Sequence, residues 1–144
     1  MNEGPILLVE DNPDDEALIL RTFSRSNIAN EIIVARDGAE ALDQLFGNGA
    51  TAERGPLKPA LVMLDLKLPK VDGLEVLQRI RGEELTHRLP VVILTSSDEQ
   101  QDLIRSYDLG ANSYVRKPVD FSEFANAIVE LGLYWIVRNV SAPS

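Results

Sequence analysis

Residues 6–13 read Ile-Leu-Leu-Val-Glu-Asp-Asn-Pro, and this stretch contains the pattern that decides the fold. Four consecutive apolar residues at 6–9 are typical of a strand that is covered on both faces of a sheet. Two carboxylates, Glu10 and Asp11, follow directly. Asn12 and Pro13 then supply a helix N-cap and a proline that fits the first helical turn. The stretch therefore predicts a strand, an acidic strand end and a helix.

The same succession of strand and helix recurs along the chain. Apolar runs predict further strands at 32–35, 61–64, 91–94 and 113–115. Further helices are predicted to begin at residues that Glu or Gln follows three positions later, as in a capping box: Asp37, Asp72, Ser97 and Asp120. Such strand–helix units predict an α/β fold, in which a doubly wound parallel sheet of about five strands carries helices on both faces.

The composition predicts one globular domain that spans residues 1–144. The hydrophobic content of 44% is typical of a folded protein, and the formal net charge of -9 argues against binding to nucleic acid. The sequence has no cysteine and a single histidine, His87, which excludes disulfides and thiolate or histidine-cluster metal sites. No apolar run has membrane-spanning length and no signal peptide is recognisable, so we expect a cytoplasmic protein without membrane contact.

Two segments depart from a minimal domain of this kind. Residues 47–59 are rich in glycine and proline, which predicts a long surface loop before the third strand. Residues 121–140 are predicted to form an extended apolar C-terminal helix, whose core-facing stripe consists of Phe121, Phe124, Ile128, Leu131 and Trp135. A second apolar surface remains, and it favours a partner interface over additional packing on the core: Leu133, Tyr134, Ile136, Val137 and Val140.

Polar side chains follow four of the predicted strands. They are Glu10 with Asp11, then Asp65, Thr95 and Lys117. Ligands of parallel sheets bind at the carboxyl ends of the strands. If the first and third strands are neighbours, three carboxylates converge there and require a cation, for which Mg²⁺ is the expected choice. With Lys117 and Thr95 beside it, Asp65 fits the role of the nucleophile in phosphoryl transfer.

Each of these residues also has a purely structural interpretation. Asp11 can stabilise the start of the first helix through the helix dipole, and Asp14 and Asp15 are assigned that role alone. Thr95 can be an ordinary strand-end hydroxyl, and Lys117 a solvated surface lysine. Their coincidence at four strand ends favours a functional site.

The chain resembles the receiver domains of two-component response regulators. The resemblance rests on ILLVEDN at 6–12, LDLKLP at 64–69 followed by Asp72-Gly73, LTSS at 94–97 and LGANSYVRKP at 109–118. It covers nearly the whole chain and implies a flavodoxin-like fold with strand order 2-1-3-4-5. It also implies a signalling protein and not an enzyme, since such a domain catalyses only its own phosphorylation and dephosphorylation.

The resemblance implies a role for each residue at the strand ends. Asp65 would accept a phosphoryl group from the phosphohistidine of a histidine kinase. Glu10, Asp11 and Asp65 would hold Mg²⁺ together with the backbone carbonyl of Lys67.

Two further roles concern the residues that follow the fourth and fifth strands. Thr95 and Lys117 would engage the phosphoryl oxygens, and the peptide bond between Lys117 and Pro118 would be cis. Thr95 and Tyr114 would form a switch pair, in which the aromatic ring moves into space that the hydroxyl vacates. An aromatic residue packed on its neighbours is the structural alternative for Tyr114.

Other features resemble the stand-alone regulators of phytochrome-type histidine kinases. These are the long loop before the third strand, NSYVRKPVD at 112–120 and LGLYW at 131–135. They imply a light-responsive kinase, such as a bacteriophytochrome, as the phosphoryl donor. They also imply a homodimer through the fourth and fifth helices and the fifth strand, with the interface residues Tyr114, Leu133, Tyr134, Trp135 and Val137. No output domain is expected after Ser144, and output is expected through protein contact, phosphate relay or a phosphate sink.

The same residues argue against three other functions. An interaction module that no longer takes phosphate is disfavoured, because such modules have usually lost part of the residue set. An aspartyl phosphatase usually has an aspartate two positions after its nucleophile, where this chain has Lys67. A flavin protein of the same topology needs an uncharged phosphate-binding loop, whereas residues 10–15 carry four carboxylates.

Overall fold

The computed structural model describes residues 4–25, 30–47, 55–95, 100–117 and 120–130. Its strands are β1 (Ile6–Val9), β2 (Ile32–Ala35), β3 (Leu61–Asp65), β4 (Val91–Thr95) and β5 (Ser113–Arg116). Its helices are α1 (Pro13–Arg25), α2 (Gly38–Phe46), α3 (Gly73–Gly82), α4 (Gln100–Asp108) and α5 (Phe121–Glu130). Strands and helices alternate from β1 to α5, as the sequence predicts.

The five strands form one parallel sheet in the order β2-β1-β3-β4-β5. This confirms the flavodoxin-like topology. In the register of the sheet, Val9 of β1 is opposite Leu64 of β3, and Asp65 is opposite Leu94 of β4. The carboxyl ends of β1, β3 and β4 therefore meet at one edge, where the polar residues follow the strands.

The central strands are apolar because both faces of the sheet are covered. Every residue of β1 and β3 is buried, whereas most residues of the edge strands β2 and β5 are only partly buried. One core cluster joins the sheet to α1 and α5, and Phe23 and Phe124 pack there with their ring centroids 4.6 Å apart. A second cluster joins the opposite face to α2 and α3. The predicted two-sided architecture is confirmed.

Three of the predicted helix N-caps are confirmed by hydrogen bonds. Oδ1 atoms of Asn12, Asp37 and Asp120 accept backbone N–H groups two or three residues later, at 2.7 to 3.1 Å. These bonds satisfy amides that have no partner inside the helix. The predicted start at Ser97 lies outside the described residues, and the described part of that helix begins at Gln100.

The capping prediction for Asp72 is wrong. Asp72 occupies the N-cap position of α3, but its exposed side chain makes no capping hydrogen bond. The first amide of the helix, that of Gly73, donates to the carbonyl of Leu66 at 3.0 Å. Backbone from the preceding turn therefore satisfies part of this helix end, and the side chain is not required for it.

The two unusual segments are described only in part. Gly47 caps the C-terminus of α2 with a φ of 71°, which is favourable for glycine, and residues 55–60 form no regular element. Phe124 of the predicted apolar stripe is fully buried. The remainder of the apolar C-terminal segment, from residue 131 onward, lies outside the described residues. Within the described ranges, no helix is long and apolar enough to cross a membrane.

Candidate phosphoryl-acceptor site

Three carboxylates meet at the carboxyl ends of β1 and β3. One carboxylate oxygen from each of Glu10, Asp11 and Asp65 lies within 4.8 Å of the other two. Glu10 and Asp65 are buried, and Asp11 is exposed. The neighbouring positions of β1 and β3 produce this arrangement, as the sequence analysis predicts for these three residues.

Lys117 lies directly beside these carboxylates. Its Nζ donates to Asp65 Oδ2 at 2.8 Å and to Asp15 Oδ2 at 3.0 Å, and it lies 2.6 Å from Glu10 Oε1. The lysine side chain is only 9% exposed. Lys117 is therefore a buried countercharge for the acidic group, and its interpretation as a solvated surface lysine is wrong.

Asp15 is a member of this site that the sequence analysis missed. The sequence indicates only a helix-dipole role for Asp15, yet its carboxylate binds the Lys117 ammonium from the first turn of α1. The contact joins residues 102 positions apart in the chain. Nothing in the local sequence distinguishes Asp15 from its neighbour Asp14, so only the folded geometry identifies it.

The charges in the site shift the pKa values of two groups. Burial, supported by the nearby Asp65 charge, raises the pKa of Glu10 to about 7, although Lys117 and the Asn12 amide lower it. Burial alone would lower the pKa of Lys117, but its hydrogen bonds to Asp65 and Glu10 more than offset this, and the net shift is upward. Lys117 therefore stays charged, while Glu10 exchanges protons near neutral pH.

The backbone after β3 holds Asp65 in place. Its Oδ1 accepts the N–H of Lys67 at 3.2 Å, so both carboxylate oxygens have a donor. Helix α3 begins close to this turn, and a Cβ on Gly73 would come within 2.3 Å of the Asp65 carbonyl oxygen. Only glycine fits at residue 73 without displacing the strand end.

The acidic group fits a hard divalent cation. Its oxygen donors are of the type that Mg²⁺ prefers, and one of them, on Asp11, is accessible from solvent. Glu10 Oε1 lies 2.6 Å from Lys117 Nζ and has no other polar partner among the described residues. A cation bound here would share the buried Glu10 carboxylate with Lys117.

The other predicted site residues are described to different extents. Thr95 ends β4 and is opposite Arg116 of β5, and its side chain lies outside what the structure describes. Tyr114 is partly buried and packs against the core cluster on the α2 and α3 side. Pro118 and four predicted interface residues lie outside the described ranges: Leu133, Tyr134, Trp135 and Val137.

Comparison with known proteins identifies the class to which this fold belongs. Residues 6–129 match the family model described as the response regulator receiver domain. The chain therefore belongs to the receiver domain family of two-component response regulators, which are signalling proteins.

Among solved structures, the bacteriophytochrome response regulator AtBRR is 55% identical, with a TM-score of 0.85, over 94% of this chain and 96% of that chain. The response regulator Rcp1 of Synechocystis is 38% identical over 139 residues, which cover 96% of this chain and 92% of Rcp1. Its Mn(2+)-bound structure gives a TM-score of 0.77 over 98% and 99% of the two chains. The phosphorylated cyanobacterial phytochrome response regulator RcpA is 36% identical, with a TM-score of 0.76 over 99% of each chain. The chain is thus related to phytochrome response regulators.

Proposed function

We propose that this protein accepts a phosphoryl group on Asp65 from the phosphohistidine of a histidine kinase. The observation that carries the proposal is the position of the Asp65 carboxylate. It lies at a strand end, 2.8 Å from the Lys117 ammonium and within the three-carboxylate group. A nucleophilic carboxylate beside a fixed cation is the arrangement that phosphoryl transfer requires.

In the proposed reaction, a carboxylate oxygen of Asp65 attacks the phosphorus atom of phosphohistidine. The oxygen–phosphorus bond forms while the phosphorus–nitrogen bond breaks, and the electron pair of that bond remains on the imidazole nitrogen. Negative charge on the transferring oxygens is stabilised by Lys117, which is already held in place before the substrate arrives. Thr95, at the end of the neighbouring strand, would donate to another phosphoryl oxygen.

The proposed cofactor is Mg²⁺. Glu10, Asp11 and Asp65 would hold it with their carboxylates, and Lys67 with its backbone carbonyl. When bound, the ion would supply positive charge to the phosphoryl oxygens and to the crowded carboxylates. The buried donors and the exposed Asp11 support this assignment. The Mn(2+)-bound form of Rcp1 is a relative in which a divalent ion is present.

The proposed output is a change of surface that starts at Thr95 and Tyr114. The β-sheet partner of Thr95 is Arg116, and Tyr114 lies two residues before Arg116 on β5. A movement of Thr95 at the end of β4 can therefore be transmitted to Tyr114. Exposed apolar side chains on α4 support a homodimer through α4, β5 and α5, because Ile104 is 56% and Tyr107 is 48% exposed. We propose a phytochrome-type kinase as the donor, on the similarity to AtBRR and Rcp1.

Incubation with acetyl phosphate tests the acceptor directly. We expect the intact mass of the protein to gain one phosphoryl group in the presence of Mg²⁺ and not in its absence. Asp65→Asn should abolish the adduct, because the amide is a poor nucleophile and carries no charge. An undiminished adduct on the Asp65→Asn variant would refute the assignment. Sizing before and after phosphorylation would show whether the dimer depends on the modification.

A further inference from the structure

The Lys117 ammonium is surrounded by carboxylates before any phosphoryl group is present. It donates to Asp65 and Asp15 and lies against Glu10. An ammonium group has only three N–H donors. A phosphoryl group on Asp65 would need at least one of them, so one of the existing contacts has to weaken when Asp65 is phosphorylated.

The three carboxylates hold Lys117 with different strengths. The side chains of Glu10 and Asp65 are 0% and 7% exposed, whereas that of Asp15 is 34% exposed. Asp15 is also the most distant, at 3.0 Å from the ammonium nitrogen. Because water and salt screen exposed charges, the contact with Asp15 is the weakest and the easiest to break.

Asp15 also differs from the other two in its position. Glu10 and Asp65 belong to the group of carboxylates that can share a cation, and Asp15 does not belong to that group within the described residues. A cation bound there would neutralise Glu10 and Asp65 and reduce their attraction for Lys117. Asp15 would then be the carboxylate that competes most directly with an incoming phosphoryl group.

We propose that Asp15 is a positioning residue that holds Lys117 in the unphosphorylated protein and competes with the phosphoryl group for it. The proposal rests on the proposed function of Asp65 as the acceptor. Phosphorylation transfers one donor of Lys117 from Asp15 to the phosphoryl oxygens. The ion pair between α1 and residue 117 therefore sets how readily Lys117 engages the modified aspartate.

The consequence is a change in affinity for a phosphoryl mimic. Asp15→Asn removes the charge and preserves the size of the side chain, so Lys117 becomes easier to recruit. The Asp15→Asn variant should bind beryllofluoride more tightly than the wild type, by about 1.5–5-fold, which is the range that exposed ion pairs provide. Asp15→Glu retains the charge and should bind as the wild type does.

The test is a titration of the full chain with beryllofluoride in saturating Mg²⁺, followed by backbone amide spectra. Asp14→Asn is the matched control, because Asp14 is the adjacent residue, is exposed and loses the same charge. We expect Asp14→Asn to bind within about 1.5-fold of the wild type, since the exposed Asp14 carboxylate forms no ion pair with another described residue and is screened by solvent. The spectra also report whether each variant is folded.

The possible outcomes separate the two proposals. Tighter binding by Asp15→Asn alone, with Asp15→Glu and Asp14→Asn close to the wild type, supports the competition. Equal or weaker binding by Asp15→Asn overturns it, as does tightening by Asp14→Asn or Asp15→Glu to the same extent. In those cases, beryllofluoride binding by the wild type still supports the proposed acceptor role of Asp65. A wild-type protein that does not bind beryllofluoride would overturn both proposals.

Discussion

A basic side chain lies near each of the two ends of the sheet, one at the carboxyl ends of the strands and one at their amino ends. The surroundings of these two side chains differ. Lys117 lies where the strands end and faces three carboxylates. Arg81 lies where β4 and β5 begin, and its hydrogen bonds reach neutral oxygen atoms. The proposed function requires the carboxylates and the ammonium at the strand ends to bind a metal ion and a phosphoryl group, whereas the hydrogen bonds of Arg81 serve only the packing of the fold.

Arg81 connects three segments of backbone. Its guanidinium donates to the carbonyls of Leu89 and Gly110 at 2.7 and 2.9 Å, and to Asn112 Oδ1 at 2.8 Å. Asn112 Oδ1 in turn accepts the first amide of β4, that of Val91. Gly110 has a φ of 99°, and a Cβ there would lie 2.8 Å from Arg81 Nε. Burial lowers the pKa of Arg81, and the network has a structural role.

The largest expected effect concerns Lys117. Lys117→Met leaves buried Glu10 and Asp65 without their countercharge, so we expect the free energy of unfolding at pH 8 without divalent cations to fall by about 3–5 kcal/mol. Mg²⁺ should restore most of the loss, because it replaces the missing positive charge. Urea denaturation with and without Mg²⁺ measures both.

Lys70→Met is the control for Lys117, because Lys70 forms an ion pair with Asp37 but is 69% exposed. Its loss should cost less than about 1 kcal/mol, with or without Mg²⁺. If Mg²⁺ fails to restore the stability of Lys117→Met, a metal ion does not replace the lysine charge at the carboxyl ends of the strands.

The next largest effect concerns Arg81. Arg81→Met retains the aliphatic stem but leaves several partly buried oxygens without a donor, so we expect a loss of about 2–3 kcal/mol in the free energy of unfolding. Mg²⁺ should not reduce this loss. Arg79 lies on the same helix, and its guanidinium carbon is 5.4 Å from the centroid of the Phe46 ring. Arg79→Met removes this cation–π contact and should cost about 1 kcal/mol or less. If Mg²⁺ restores the unfolding free energy of Arg81→Met as well, its effect is not specific to the carboxylates around Lys117.

The third expected effect is a pH dependence that belongs to Glu10. Its pKa is raised to about 7 from a usual value of 4.5, so the metal-free folded protein binds more protons than the unfolded chain between those values. Stability from this group is therefore full below about pH 4.5 and falls as the pH rises through 7, by up to about 3 kcal/mol. Mg²⁺ should abolish the fall, because a ligating carboxylate is deprotonated.

Glu10→Gln isolates that contribution from those of the other carboxylates. The difference in unfolding free energy between the wild type and Glu10→Gln, measured in urea at several pH values without Mg²⁺, should decrease from pH 4.5 to 7.5. A difference that is constant or rises with pH would show that burial does not raise the pKa of Glu10.

The sequence predicted the parts of this structure that local patterns encode. The apolar runs of β1, β3 and β4 indicate strands covered on both faces, and positions at strand ends identify Glu10 and Asp65. Asp15 could not be found in this way, because its contact with Lys117 spans the whole fold.

Arg81 and Asp72 also show that local sequence patterns do not predict contacts that form only in the folded protein. The role of Arg81 depends on carbonyls that come together only when α3, β4 and β5 are assembled. Asp72 has the sequence of a helix cap, yet tertiary backbone contacts satisfy the first amide of α3. Local propensity predicts where elements begin, and the packed structure determines which side chains take part.

The central claim is that Asp65 is the carboxylate that accepts the phosphoryl group, and mapping the modified residue tests it most directly. The protein treated with acetyl phosphate and Mg²⁺ is reduced with borohydride, which converts an aspartyl phosphate to homoserine, and its peptides are sequenced by mass spectrometry. We predict homoserine at position 65, dependent on Mg²⁺. Reduction at position 11 or 15 in place of 65, or no reduced residue in a protein that carries the phosphoryl mass, would contradict the account.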